Sequence, residues 1–354
     1  MSSDLYRSEH AMDPLKSKAT NAGFLAASRG EPRVSVIIPF RNEERTIEQS
    51  VMSVVEQDYP GLVEILVIND GSTDGSVKIV KRLIQMHDCI RLIESNGSGE
   101  AEARNRGTSS SSGAVIVQFS GHAVATSSFL NVLVSKLEMS NFIVAGVGCK
   151  HIAGHGQAWS LAFGEAMRTV FGGYGTTYYQ HGTERFVESV AYAAYRTEVF
   201  AHLGLFDLTI VRGVAAEFNL RLAKAGYKLL YTEATAVYHY EVASPRVFFA
   251  KLMGAGAARM KIIRKYPWSF RHVYALPSVA IFVLGFLAAA SIFDGRVTFA
   301  LLGLTLLYAA CSFVAAVRTA LGAGLREALR LMLAFPMLHA GYGIGFIKEL
   351  IWPS

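Results

Sequence analysis

The chain holds 354 residues, with 34 Lys and Arg against 28 Asp and Glu and a hydrophobic fraction of 51%. Its formal net charge of +6 comes without a solid basic block and by itself argues only weakly for nucleic acid or an anionic lipid surface; the crowding of cations just before the first long apolar run favours membrane and no nucleic acid. Three cysteines, Cys89, Cys149 and Cys311, stand far apart without metal-ligand spacing and count against a disulfide framework.

Residues 1–32 read as a polar, aperiodic tail. Met1 to Gly30 contains no apolar core of signal-peptide length, so the globular part is expected in the cytosol. Residues 33–245 read as an α/β domain. Val34-Ser-Val-Ile-Ile-Pro39 and Glu64-Ile-Leu-Val-Ile-Asn69 are short β-branched runs of the kind buried in a parallel sheet. Between them, Ile47, Val51, Val54 and Val55 fall at helical spacing. The second run leads into Asp70-Gly-Ser-Thr-Asp74, and strand ends carrying Asp and Gly are where such sheets hold ligands. The pattern then predicts a helix over 76–86, a strand over 90–94, a helix starting in 102–110, a strand over 114–119 and a helix over 127–136. A Gly-rich, aromatic stretch spans 146–182, and further helices are expected near Glu198 and over 217–225. The fold class expected is α/β, a mostly parallel sheet sandwiched by helices.

Residues 246–272 form a basic amphipathic juxtamembrane segment, with Arg246, Lys251, Arg259, Lys261, Arg264, Lys265 and Arg271 placed to meet acidic head groups. Residues 273–354 form an anchor of two or three helices: 273–293, 297–317 and 331–351 are each close to the roughly 20 residues that cross a bilayer. Pro277 and Pro336 fall inside these segments, and the third also carries His339 and several Gly, so its crossing is left open. Arg318, Arg326 and Arg330 place the second connection and the α/β domain on the cytoplasmic side of an inner membrane.

Three strings in order, Val34-Ser-Val-Ile-Ile-Pro-Phe-Arg-Asn-Glu-Glu44, Ile68-Asn-Asp-Gly-Ser-Thr-Asp-Gly75 and Ala103-Arg-Asn-Arg-Gly107, closely resemble family 2 glycosyltransferases of the GT-A fold. The resemblance covers 33–245. Gly204-Leu-Phe-Asp207 and Asn219-Leu-Arg-Leu-Ala-Lys-Ala-Gly-Tyr227 look like the acceptor half of that family and, with the hydrophobic tail, are similar to its succinoglycan, or exopolysaccharide, subgroup.

This resemblance implies inverting transfer of a sugar from a nucleotide-sugar donor, UDP-sugar above all, to a lipid-linked or membrane-proximal glycan acceptor, alongside polysaccharide-assembly proteins. It implies roles in donor binding for Pro39, Arg41, Glu43, Asp70, Arg104, Arg106, Ser120 and Gly121. Asp70 and Asp74 also suit turn and cap chemistry, and Arg104 and Arg106 suit a surface helix. The chain departs from its family at two places. Where an Asp-x-Asp or Asp-Gly-His motif would bind Mg²⁺ or Mn²⁺, it has Ser120-Gly121-His122, which weakens the metal site and leaves His122 as ligand, phosphate donor or solvated loop residue. Where the family carries its catalytic Asp, the run Arg212-Gly-Val-Ala-Ala-Glu217 has Ala215, leaving Glu217 as candidate base. These losses sustain an alternative, a nucleotide-binding scaffold of polysaccharide assembly that transfers nothing.

Overall fold

The computed structural model describes residues 30–154, 158–173, 184–242 and 244–353; the tail expected over 1–32 lies outside them up to position 29. The first half builds β1 (Val34–Phe40), α1 (Ile47–Val55), β2 (Val63–Asn69), α2 (Ser76–Ile84), β3 (Ile90–Glu94), α3 (Glu100–Ser109) and β4 (Val115–Gln118). The β-branched runs fold as strands because both faces are covered. Val36 and Ile38 face Ile47, Val51 and Val54 in one core, while Ile37, Leu66 and Ile68 face Ala103 in the other.

The second half holds β5 (Ala123–Ala125), α4 (Phe129–Met139), β6 (Val144–Ala153), α5 (Ala158–Arg168), α6 (Val170–Gly173), β7 (Arg185–Val187), β8 (Ala194–Arg196), α7 (Glu198–Leu203), α8 (Val214–Lys224) and β9 (Lys228–His239). The sheet order is β3-β2-β1-β4-β8-β6-β9-β5, with β7 on β9. The sheet is mixed rather than mostly parallel. The pairs among β1 to β4 and the pair β6–β9 are parallel, but β8 runs against β4 and β6, and β5 and β7 run against β9. The Gly-rich stretch that gave no strand signal contains β6. Gly146 and Gly148 leave room there for the Tyr195 ring and Val190, which a Cβ would meet at 2.7 Å and 2.6 Å.

The C-terminal part is helical: α9 (Pro245–Lys265), α10 (His272–Ala290), α11 (Gly295–Thr319) and α12 (Leu325–Ile351). The basic segment is thus mostly one packed helix, α9, rather than a free amphipathic strip. Phe248, Leu252 and Ile262 are buried, and its cations reach the sheet domain through Lys251–Glu241 (2.7 Å) and Lys265–Asp207. Three helices, α10, α11 and α12, are long and apolar enough to cross a membrane. They are not alike. The most apolar stretch of α10 and of α11 is 11% buried, against 44% for α12. Along α12, Gly341 meets Leu252, Gly345 meets Met253, Gly256 meets Tyr342, and Glu349 pairs with Arg264 at 3.1 Å. The two helices therefore run side by side over several turns.

Candidate functional site

The parallel strands β1 and β2 end together, and side chains lace their loops. Asn42, at φ 56°, accepts the Thr73 amide at 2.7 Å through Oδ1, and its own amide donates to Ser72 Oγ at 3.0 Å. Asp74 takes the amides of Glu44 (3.1 Å) and Ser76 (3.0 Å), tying the loop after β1 to the first residue of α2, which accounts for the second Asp of the string structurally. Asp70 differs. It is 6% exposed, its Oδ1 accepts the Gly99 amide at 3.2 Å, and Oδ2 has no partner among the described residues. Arg41 stands exposed just beyond β1, and Pro39 uses its carbonyl to hold the Gly121 amide at 3.2 Å.

In α3, the Ala-Arg-Asn-Arg-Gly string divides by direction. Gly107 lets the helix close on β1, where a Cβ would sit 2.5 Å from Ile37, and Asn105 exchanges two hydrogen bonds of 2.8 Å with the Phe206 backbone. Arg104 is buried, donating to Gln118 Oε1 at the end of β4 (2.8 Å) and to Glu100 (2.9 Å). Arg106 instead pairs with Glu102 and the Glu94 carbonyl. The two arginines diverge, because positions two apart on a helix do not share a face.

Beyond β4, Gly121 is packed so closely that a Cβ would lie 2.9 Å from Phe40 Cβ and 3.4 Å from Glu43 Cγ. The next residue, His122, places Nδ1 at 2.9 Å from Glu43 Oε1 and 3.1 Å from Ser120 Oγ. Glu43 is thereby turned toward the β4 loop. The donor set does not fit a preformed site for a hard divalent cation: Ser120 brings no charge, Glu43 is held by His122, and His122 has Nε2 alone to spare. Among the described residues no three His, Cys, Asp or Glu side chains are grouped to hold a metal ion.

Glu217 does not meet the expectation of a catalytic base. It is 1% exposed, Arg221 binds Oε1 at 2.8 Å and Oε2 at 3.1 Å, and the Tyr266 hydroxyl donates to Oε1 at 2.8 Å. It braces α8 against the segment after α9. The sequence places it one helical turn ahead of Arg221, the spacing of an ion pair.

A polar chain continues from His122. The His122 ring meets the His239 ring edge-on at 5.0 Å; His239 contacts the Tyr192 hydroxyl through Nδ1 and Glu241 through Nε2 (2.7 Å); Glu241 pairs with Lys251 of α9. Burial pushes His239 below its ordinary pKa despite Glu241, so the neutral ring accepts from Tyr192 and donates to Glu241. Burial alone would raise Glu241, yet Lys251 and His239 outweigh it and hold the carboxyl well below the usual range. Tyr192 itself sits at φ 48°, a conformation rare for an aromatic residue. The string Tyr238-His-Tyr240 was the available signal, and nothing in its spacing pointed to a partner at position 122.

Residues 35–204 match the family model for glycosyl transferase family 2. A dolichyl N-acetyl-α-D-glucosaminyl phosphate 3-β-D-2,3-diacetamido-2,3-dideoxy-β-D-glucuronosyltransferase of Methanococcus voltae is 27% identical over 72% of this chain and 82% of its own length. Glycosyltransferase AglE of Haloferax volcanii is 27% identical over the same shares, 72% and 82%. The succinoglycan biosynthesis protein ExoA of Rhizobium meliloti is 23% identical over 65% of this chain and 70% of its own. In three dimensions the chain is similar to a mannosyltransferase of Pyrobaculum calidifontis, solved with GDP-mannose and Mn²⁺. The TM-score is 0.63 at 19% identity, over 92% of this chain and 89% of that one.

Proposed function

We propose that this family 2 glycosyltransferase domain, of the GT-A fold, moves a sugar from a nucleoside diphosphate donor of the UDP-sugar kind to a lipid-linked acceptor at the cytosolic face of an inner membrane. Sugar transfer from a nucleotide donor is the activity of the family; donor, acceptor and membrane side are our reading. The observation that carries it is Asp70, a nearly buried carboxylate at the carboxyl end of β2 whose Oδ2 is open. Such a group accepts a ribose hydroxyl or a base N–H at the ligand edge of a parallel sheet. Arg41, just beyond β1, and Arg104, on α3 against the end of β4, are the motif cations offered to the diphosphate. The lipid-linked acceptor is supported by the dolichyl phosphate in the name of the Methanococcus relative and by the three apolar C-terminal helices.

The test is release of nucleoside diphosphate from a panel of UDP- and GDP-activated hexoses by the full chain in detergent, with and without Mn²⁺. Asp70→Asn is expected to weaken nucleotide binding about tenfold to a hundredfold, since a hydrogen bond to a charged group contributes about 1.5–3 kcal/mol. Unchanged binding would remove Asp70 from the site. The scaffold reading is favoured by Ser120 and Ala215, and it is supported if nucleotide binds and no donor turns over.

A further inference from the structure

Just beyond the end of β9 lies a buried carboxylate. The Glu241 side chain is 1% exposed and meets two partners. His239 donates from Nε2 to Oε1 at 2.7 Å, and Lys251 of α9 reaches Oε1 at 2.8 Å and Oε2 at 2.7 Å. The main chain of Glu241 is pinned as well, its carbonyl accepting the Ser160 hydroxyl. An apolar contact would hold α9 to the sheet without the cost of taking a carboxylate out of water. What a bridging carboxylate adds is direction, since it fixes the ring whose N–H it accepts.

That ring, His239, is held from both sides. Its Nε2 is taken by Glu241 and its Nδ1 by the Tyr192 hydroxyl, so a turn of the imidazole breaks two hydrogen bonds at once. Tyr192 keeps its place at φ 48°, a backbone strain that the surrounding contacts sustain. The fixed ring stands edge-on against His122, with centroids 5.0 Å apart. The main chain repeats the junction, the Tyr240 amide donating to the His122 carbonyl at 3.0 Å. On its other side His122 is held at Nδ1 by Glu43 (2.9 Å) and Ser120 (3.1 Å). Its Nε2 has no hydrogen bond among the described residues, and the side chain is 35% exposed.

We propose that Lys251 is a positioning residue for donor binding: through Glu241 and His239 it fixes the His122 ring, so that the free Nε2 is presented to the nucleotide's diphosphate. This deepens the donor-binding part of the transferase reading and rests on it. His122 directly follows Ser120 and Gly121, which the family resemblance sets at the donor. Loss of Lys251 leaves Glu241 a single side-chain partner in a place with almost no water. The carboxylate then moves toward another donor, the His239 ring turns with it, and His122 loses one of the two groups that wall it in. The nucleotide site is in this way set partly by α9, the helix packed along α12.

The test is a double-mutant cycle in nucleotide affinity, measured by calorimetry with UDP and GDP on the full-length protein in detergent, alongside its melting temperature. His122→Ala is expected to weaken binding about tenfold, the scale of one charge-assisted hydrogen bond. Lys251→Met is expected to weaken it about fivefold, Lys251→Arg to restore most of that loss, and Lys251→Met on top of His122→Ala to add nothing. Lys265→Met is the control. It breaks another ion pair of α9 with the sheet domain, to Asp207, which takes no part in the His239 contacts among the described residues. Affinity should stay unchanged there even where the melting temperature falls. If Lys251→Met does not fold, Lys251→Met with Glu241→Gln removes both charges of the pair and replaces it under the same expectations. Equal weakening by Lys251→Met and Lys265→Met, or losses that add in the cycle, would overturn the positioning role and leave donor binding standing. Unchanged affinity in Lys251→Met or in His122→Ala would do the same. Failure of the unsubstituted chain to bind either nucleotide would defeat the donor reading itself, and this inference with it.

Discussion

Glu217 and Arg221 hold opposite charges one turn apart in a place with almost no water, and Tyr266 fills a remaining lone pair. Neutralising the carboxylate strands a guanidinium that is 18% exposed. Glu217→Gln is therefore expected to destabilise the fold by about 3 kcal/mol, the low end for breaking a buried pair. A brace loses stability with kcat per folded molecule retained; a fall in kcat at unchanged melting temperature would restore it as the base. His151 gives a prediction in pH. It is 3% exposed, and burial, with His239 close by, pushes its pKa down to about 3, against about 6.5 in an unfolded chain. The folded state then binds fewer protons than the unfolded state below pH 6.5. This contribution is complete above pH 6.5 and is lost as pH falls toward 3, at up to about 1.4 kcal/mol per pH unit. Melting temperature should drop between pH 7.5 and 5, and His151→Gln should flatten that slope. At this scale the sequence was partly legible. Asp70 could be placed because strand, Asp and Gly are adjacent in the chain, whereas the contact of His122 with Glu43 and His239 joins residues 79 and 117 positions apart and has no local trace.

Elements were legible where one periodicity sufficed. The strand over 90–94 and the start of the helix at Ser76 coincide with the pattern, because a short apolar run marks the one and a 3.6-residue stripe the other. β6 was not, since its glycines answer to the Tyr195 ring and Val190 across the sheet rather than to any local preference. The same physics governs the α9–α12 contact. A Cβ on Gly256 would fall 2.0 Å from the Tyr342 carbonyl oxygen, and one on Gly345 would fall 1.9 Å from that of Met253. Gly256→Val or Gly345→Val should force the helices apart and lower the melting temperature of the detergent-solubilised protein, on the scale of the about 1–3 kcal/mol typical of overpacking. Gly285→Val, which meets nothing within 4 Å, is the control and should leave it unchanged.

At the scale of the whole molecule, the third apolar segment resolves into a different kind of helix from the first two. α12 is docked along α9, and α9 carries Lys251, Arg259, Lys261, Arg264 and Lys265 and is tied to the sheet domain by ion pairs. If a helix so attached entered the hydrocarbon, those charges would have to follow it, which argues for a place in the interface. Its outward stripe of Leu329, Leu333 and Ile344 remains apolar and exposed, as suits a helix lying in the interface. The expected topology is an α10–α11 hairpin across the bilayer with α12 in its plane. A reporter fused after Ser354 should then report the cytosol, on the same side as the sheet, and a signal from the opposite face would make α12 a third span. Helix α9 is the link: Lys251 holds Glu241, which holds the His239 ring, while Arg264 of the same helix holds Glu349 of α12. The edge of the sheet that carries His239 is thereby tied, through a single helix, to the apolar part of the chain.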